Sequence, residues 1–216
     1  MGYKFVEFAG FFGYSDTDVK AMLDANGLKA SGTHSWTGCL LPENIRETIR
    51  FHKGIDCENF IIPGDDLSTA EKLDRFINIL NTAKPILEAN GIKLHYHNHS
   101  AEFYPNLDGL VPLDELEKRT DILFEIDTYW AFNADKDPVA LLERLKKLGR
   151  IEVIHIKDGL KGGICKDLGE GEASVPAVLK KAKELGLTVI VEPEGLNPNG
   201  IEESKRCINY LKNLDF

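Results

Sequence analysis

Short runs of apolar and β-branched residues recur along the chain, at residues 3–9, 29–35, 59–64, 93–99, 122–127, 152–158 and 188–194. Each leads into a loop with polar chemistry. Between them, apolar positions return at spacings of three and four, as at Leu73, Phe76, Ile77, Leu80, Ala83 and Leu87. The short runs predict strands and the spacing predicts helices. Strands that alternate with helices pair in parallel through right-handed crossovers, which gives an α/β class.

The predicted helix ends repeat as well. Asn26-Gly27-Leu28, Asn90-Gly91-Ile92 and Leu185-Gly186-Leu187 each set a glycine just past a helix and an apolar residue after it. That is the left-handed cap, in which glycine alone escapes a steric cost. Gly54 and Gly149 read as weaker versions. Seven βα units in 216 residues average about 31 residues each, and a (β/α)₈ barrel occupies roughly 250 residues. Met1-Gly2-Tyr3 looks like another helix-to-strand junction, but with no helix before it. The expectation is a TIM (β/α)₈-type barrel of seven visible strands that lacks its first βα unit. Residues 1–216 would form a single domain, N-terminally incomplete. An open seven-stranded sheet with a naturally short start is the alternative.

Composition narrows the partners. Thirty-five acidic side chains against 26 basic ones give a formal charge of −9. A surface of that sign repels phosphate backbones and anionic lipid, so neither nucleic acid nor membrane is expected as a partner. The densest basic runs, Lys146-Lys147 and Lys180-Lys181, fall on predicted helix surfaces. No apolar run nears the ~20 residues of a membrane span, and the first residues do not open a signal peptide. Cys39, Cys57, Cys165 and Cys207 are scattered with no CxxC pair, the usage of reduced thiols in a cytoplasmic protein.

Functional groups of a βα barrel gather at the C-terminal ends of its strands. Here those ends carry Glu7, then His34, then Pro63-Gly64-Asp65. The fourth end is dense, with His95, His97, Asn98, His99 and Glu102. Glu125 and Asp127, His155 and Lys157, and Glu192 and Glu194 follow on the remaining three. Alternation along a strand puts Glu125 on the face of Asp127, and His155 on that of Lys157. Carboxylates aimed at one another repel unless a cation lies between them. Asp127, His155 and Glu192 recur at equivalent places on successive strands, which points to a divalent metal. Mixed carboxylate and imidazole ligands suit Mn²⁺, Zn²⁺, Co²⁺ or Fe²⁺ better than Ca²⁺. A lone His or Glu at a strand end is more often a hydrogen-bonded loop residue, the reading that holds for His34 and Glu7, although either could touch a ligand. His95 reads as interior packing. Lys157 could equally pair with Asp158 or a neighbouring carboxylate, and Trp130 and Phe132 serve either as loop packing or as an apolar platform for a sugar face. Gly162-Gly163 and Gly169-Glu170-Gly171 read as plain turns before they read as an anion cradle.

Six stretches resemble the xylose isomerase-like barrels, the sugar phosphate isomerase/epimerase group with its inosose dehydratase, tagatose epimerase and hydroxypyruvate isomerase relatives. They are Val6-Glu7-Phe8-Ala9, His95-Tyr96-His97-Asn98-His99-Ser100-Ala101-Glu102-Phe103 and Phe124-Glu125-Ile126-Asp127-Thr128-Tyr129-Trp130-Ala131, then Val153-Ile154-His155-Ile156-Lys157-Asp158, Gly169-Glu170-Gly171-Glu172 and Val189-Ile190-Val191-Glu192. The resemblance implies one divalent ion (Mn, Zn, Co or Mg) held by a ligand from each of four strand ends. Asp127, His155 and Glu192 match plainly. The fourth position is His97, where many relatives have a glutamate, with Glu102 as the other candidate. The same resemblance puts acid–base duties on His99, Glu102 and Lys157; Trp130, His34 and Glu7 are the candidates for substrate contact from their places at the strand ends.

The reaction this implies is isomerisation or epimerisation of a small sugar, sugar phosphate or polyol, with a metal as Lewis acid stabilising an enediolate. His99 or Glu102 would take the proton α to the carbonyl. Expulsion of a β-hydroxyl with acid help from Lys157 would instead make the protein a dehydratase of a keto-inositol or keto-sugar. Two other classes compete: a non-catalytic carbohydrate- or metal-binding barrel, and a DNA-repair nuclease such as endonuclease IV. The acidic charge, the lack of a basic groove and too few clustered ligands for several metals weigh against the nuclease. Strand edges left by a missing unit also invite pairing with another chain, so a homo-oligomer is possible.

Overall fold

The computed structural model describes residues 1–214, which fall into two compact units. The first comprises residues 3–97 and 102–123. Its elements are β1 (Phe5–Phe8), α1 (Asp16–Asn26), β2 (Lys29–His34), α2 (Ile45–Gly54), β3 (Asn59–Ile62), α3 (Ala70–Glu88), β4 (Lys93–His97) and α4 (Pro112–Arg119). Short 3₁₀ turns lie at Thr37–Leu40 and Ala101–Phe103. The strands are parallel, β1 beside β2, β2 beside β3 and β3 beside β4, with Ile61 opposite His95 in the last pair. Helix α3 follows the predicted spacing: Leu73, Phe76, Ile77, Leu80, Ala83 and Leu87 are all buried. Each large one contributes about 1.5–3 kcal/mol relative to exposure.

The second unit comprises residues 1–2, 98–101 and 124 onward. It holds β5 (Leu123–Asp127), α5 (Thr128–Asn133), α6 (Pro138–Lys147), β6 (Ile151–Ile156), β7 (Asp158–Leu160), β8 (Ile164–Lys166), α7 (Val175–Leu185), β9 (Thr188–Val191) and α8 (Gly200–Lys212). Here β5 pairs parallel with β6, and β6 with β9. The seven expected parallel strands are all present. The hairpin of β7 and β8 was not expected; it is antiparallel, with Gly159 opposite Cys165. Its three-residue strands flank Gly162-Gly163 and lack the apolar alternation that marks a strand in sequence.

Local signals start the helices, and the predicted glycines stop most of them. Ser15 and Asp18 form a reciprocal capping box on α1, at 3.1 and 3.2 Å. Asp137 accepts the N–H groups of Val139 and Ala140 ahead of Pro138, the first residue of α6. Gly27, Gly91, Gly149 and Gly186 adopt left-handed φ of 63°, 77°, 68° and 64°. Gly54 does not belong with them. It ends α2, where a Cβ would run into the Asp16 side chain, so close approach is what requires glycine there. The basic pairs lie on α6 and α7, where Lys181 meets Glu143 and Glu184. Among the described residues no helix is long and apolar enough to cross a membrane.

Candidate functional site

In the second unit, chemistry-bearing side chains converge at the ends of three parallel strands. Glu125 and Asp127 are two apart on β5 and share a face. Parallel register sets Asp127 beside His155. Glu192 follows β9, and its N–H donates to the Ile156 carbonyl at 3.1 Å. One donor atom each from Asp127, His155 and Glu192 lies within 4.8 Å of the others. The His155 ring stands between two carboxylates, with Nε2 3.3 Å from Glu125 and Nδ1 3.2 Å from Glu192. Glu125, Asp127 and His155 are buried, and Glu192 is half-buried.

Asp127 is fixed by its neighbours. Its Oδ1 caps α5 by accepting the Trp130 N–H at 2.9 Å. Its own N–H donates to Asn98 Oδ1 at 3.1 Å, and Asn98 Nδ2 donates back to its carbonyl at 3.4 Å. Next to it, the Thr128 hydroxyl donates to the His155 carbonyl at 3.1 Å. The other oxygen, Oδ2, is buried and has no hydrogen-bond partner among the described residues. Burial and then the charge of Glu192 push the Asp127 carboxyl well above the usual carboxylate range, against the opposing influence of Lys157 and His155. As ionised carboxylates Asp127 and Glu192 can only repel. A shared proton or an intervening cation relieves both the repulsion and the orphaned acceptor.

Lys157 is buried beside them. Its Nζ pairs with Glu194 and lies 4.6 Å from the centroid of the Trp130 ring and 5.5 Å from that of Tyr129. Burial alone would lower its pKa, but the charges of Asp127, Glu194 and Glu192 outweigh it and raise the value. Lys157 is therefore a held ammonium, suited to meeting developing negative charge rather than to acting as a base. His99 stacks near the same indole, with ring centroids 5.6 Å apart. Lys157 does not take Asp158 as its partner. The Asp158 carboxylate accepts the N–H groups of Gly159, Gly169, Gly171 and Ala173 at 2.8–3.1 Å. The amides of Gly169 and Gly171 thus hold an internal carboxylate, and those of Gly162 and Gly163 donate to Asn133 Oδ1 at 2.9 and 3.2 Å.

The remaining predicted residues belong to the first unit. Glu7 lies 3.1 Å from His34 Nε2, and the rings of His34 and His97 are 4.8 Å apart. Glu102, on its 3₁₀ turn, accepts the buried Tyr96 hydroxyl at 2.8 Å. Burial and then Glu102 lift the Tyr96 phenol well above its usual range. His95 is fully buried with Nε2 3.0 Å from Asn59 Oδ1, in keeping with interior packing. Sequence reasoning gave no role to Glu125, Asn98 or Glu194. The available signals were the i, i+2 spacing of Glu125 from Asp127 and the position of Glu194 at a strand end.

Known proteins extend the comparison. A 2-oxo-tetronate isomerase from Haemophilus influenzae is 24% identical over 93% of this chain and 87% of its own length. The solved structure of a sugar phosphate isomerase/epimerase from Parabacteroides distasonis is similar at a TM-score of 0.76 and 25% identity, covering 98% of this chain and 84% of the other. That of D-psicose 3-epimerase from Clostridium cellulolyticum gives a TM-score of 0.70 at 14% identity, over 98% and 88% of the two chains; this last likeness speaks for the fold alone. Residues 1–214 match the model of one family. With its seven parallel strands and this span of agreement, the chain belongs to the xylose isomerase-like TIM barrel family.

Proposed function

We propose that this protein is a divalent-metal-dependent isomerase or epimerase of a small sugar, sugar phosphate or polyol-derived ketone, working through an enediolate. The observation that carries this reading is the buried Asp127 Oδ2, which lacks a hydrogen-bond partner among the described residues, with the Glu192 carboxylate and His155 imidazole beside it. Two carboxylates and an imidazole fit Mn²⁺, Zn²⁺, Co²⁺ or Mg²⁺, and a set of three leaves coordination positions for water and substrate. When bound, such an ion supplies Lewis-acid polarisation of a substrate carbonyl.

The chain's own residues do the rest. His99, beside the half-buried Trp130, is the base for the proton α to the carbonyl. Glu102 is less free for that work because its carboxylate holds the Tyr96 hydroxyl. The Lys157 ammonium meets negative charge on the substrate oxygen. Trp130 offers an indole face to the C–H surface of a sugar. Proton return to the neighbouring carbon gives isomerisation, and return to the opposite face of the same carbon gives epimerisation. The names of the relatives, a 2-oxo-tetronate isomerase and a sugar phosphate isomerase/epimerase, support this class of substrate.

The test is elemental analysis after incubation with Mn²⁺ or Zn²⁺ and desalting, followed by turnover on keto-sugars, 2-oxo-tetronates and their phosphates. The expected result is about one ion per chain, lost in Asp127→Ala, as for a site whose ligands are assembled by the fold. No retained metal in the wild type overturns the metal reading. Retained metal without turnover on any of these substrates overturns the isomerase reading.

A further inference from the structure

We infer that Glu125 is a positioning residue: its carboxylate accepts a hydrogen bond from the Nε2–H of His155, so that Nδ1 presents its lone pair toward Asp127 and Glu192. The inference rests on the proposed metal reading and assigns to that site a residue outside the donor set.

Neutral imidazole carries one proton, and the nitrogen that holds it cannot bind a cation. The two ring nitrogens of His155 face different carboxylates, Nε2 that of Glu125 at 3.3 Å and Nδ1 that of Glu192 at 3.2 Å. With no cation present, either tautomer could satisfy one carboxylate. The surroundings make the two unequal. Glu192 is half-buried and lies, with Asp127, within 4.8 Å of the His155 donor atom. Glu125 is completely buried, and its position two residues before Asp127 keeps it on the same face but one step back along β5. A carboxylate buried that deeply is stabilised by N–H donors or positive charge, and the His155 Nε2–H is such a donor at 3.3 Å. The remaining nitrogen is the one that faces the donor cluster.

A carboxylate in this place does more than a neutral acceptor would. It raises the basicity of the ligating nitrogen and fixes the plane of the ring. The charge count then reads two carboxylate ligands and one imidazole made electron-rich by a third carboxylate, a donor set that favours a divalent ion.

The experiment compares the wild type with Glu125→Gln and Glu125→Ala by competition titration of Zn²⁺ against a chromophoric chelator, and by the visible spectrum of the Co²⁺-loaded protein. Loss of an outer partner of a metal-bound histidine costs roughly 10–100-fold in affinity. The expected order is wild type tightest, Gln weaker and Ala weakest, with an altered Co²⁺ spectrum in both variants. Equal affinity and unchanged spectra in folded variants overturn the inference and leave the metal reading standing; a wild type that binds neither Zn²⁺ nor Co²⁺ overturns the metal reading and this inference with it. Should both variants fail to fold, ¹⁵N ring shifts of His155 in the Zn²⁺-loaded wild type decide: a protonated Nε2 is expected, and a protonated Nδ1 overturns the inference.

Discussion

Lys157 lies 4.6 Å from the centroid of the Trp130 ring with its charge held up by surrounding carboxylates. A desolvated contact of this kind is worth up to about 2 kcal/mol, and it leaves the ammonium as a fixed positive charge beside Asp127. Lys157→Met keeps the volume and removes the charge. On the proposed reaction, turnover falls about 10²-fold or more, the usual cost of losing one group that meets developing negative charge, while metal binding survives. Steady-state kinetics together with metal analysis of the variant checks both halves of that expectation.

Asp158 gives a test of stability. Four backbone N–H groups point at its buried carboxylate. Asp158→Asn turns one acceptor oxygen into an amide NH₂ that faces donors. Leaving buried donors unpaired costs about 1–3 kcal/mol, so the urea midpoint should drop accordingly with no change in slope. An unchanged midpoint would mean that residues 169–173 do not depend on this carboxylate.

The same carboxylate marks where sequence reading reached its limit. The seven strands, the apolar face of α3 and the caps at Gly27, Gly91 and Gly186 were legible because each depends on residues within a few positions of one another. The convergence of Asp127, His155 and Glu192 was legible because strand ends repeat. Asp158 draws its donors from as far along the chain as Ala173, and Glu125 meets a histidine 30 positions away. Partnerships of that kind depend on register and on loop paths, which no local pattern encodes. The Gly169-Glu170-Gly171 run reads in sequence as a plain turn before an anion cradle, and in the fold two of its amides hold an aspartate of the chain itself.

Glu203 should control the loop that carries Glu192 and Glu194. It is almost completely buried on α8, and its carboxylate accepts the N–H groups of Gly195, at 3.1 Å, and of Leu196. Glu203→Gln keeps the shape but loses one acceptor. Amide exchange at Gly195 and Leu196 should speed up, and metal affinity should weaken by about 10-fold, the lower range for outer partners of a metal site. Hydrogen exchange read residue by residue, beside a Zn²⁺ titration, tests both; protection unchanged at those two amides would show that the loop is held by other contacts.

His52 makes the first unit sensitive to acid. It is buried, with Nε2 2.8 Å from the Thr33 hydroxyl and Nδ1 2.8 Å from the Thr48 carbonyl. One proton on Nδ1 satisfies that carbonyl and leaves Nε2 to accept from Thr33. Burial holds its pKa below the ordinary imidazole value, against the opposing hydrogen bond to Thr48. In the window between the lowered folded value and the unfolded value of about 6.5, the unfolded chain binds the extra proton and the native protein does not. Stability therefore rises with pH through that window and is lost as pH falls below about 6.5. His52→Gln cannot take up that proton in either state. Thermal melts of the metal-free protein between pH 7.5 and pH 5 should show a smaller acid loss for the variant than for the wild type, whatever the variant's stability at neutral pH. Parallel curves would show that His52 is not a source of the acid sensitivity.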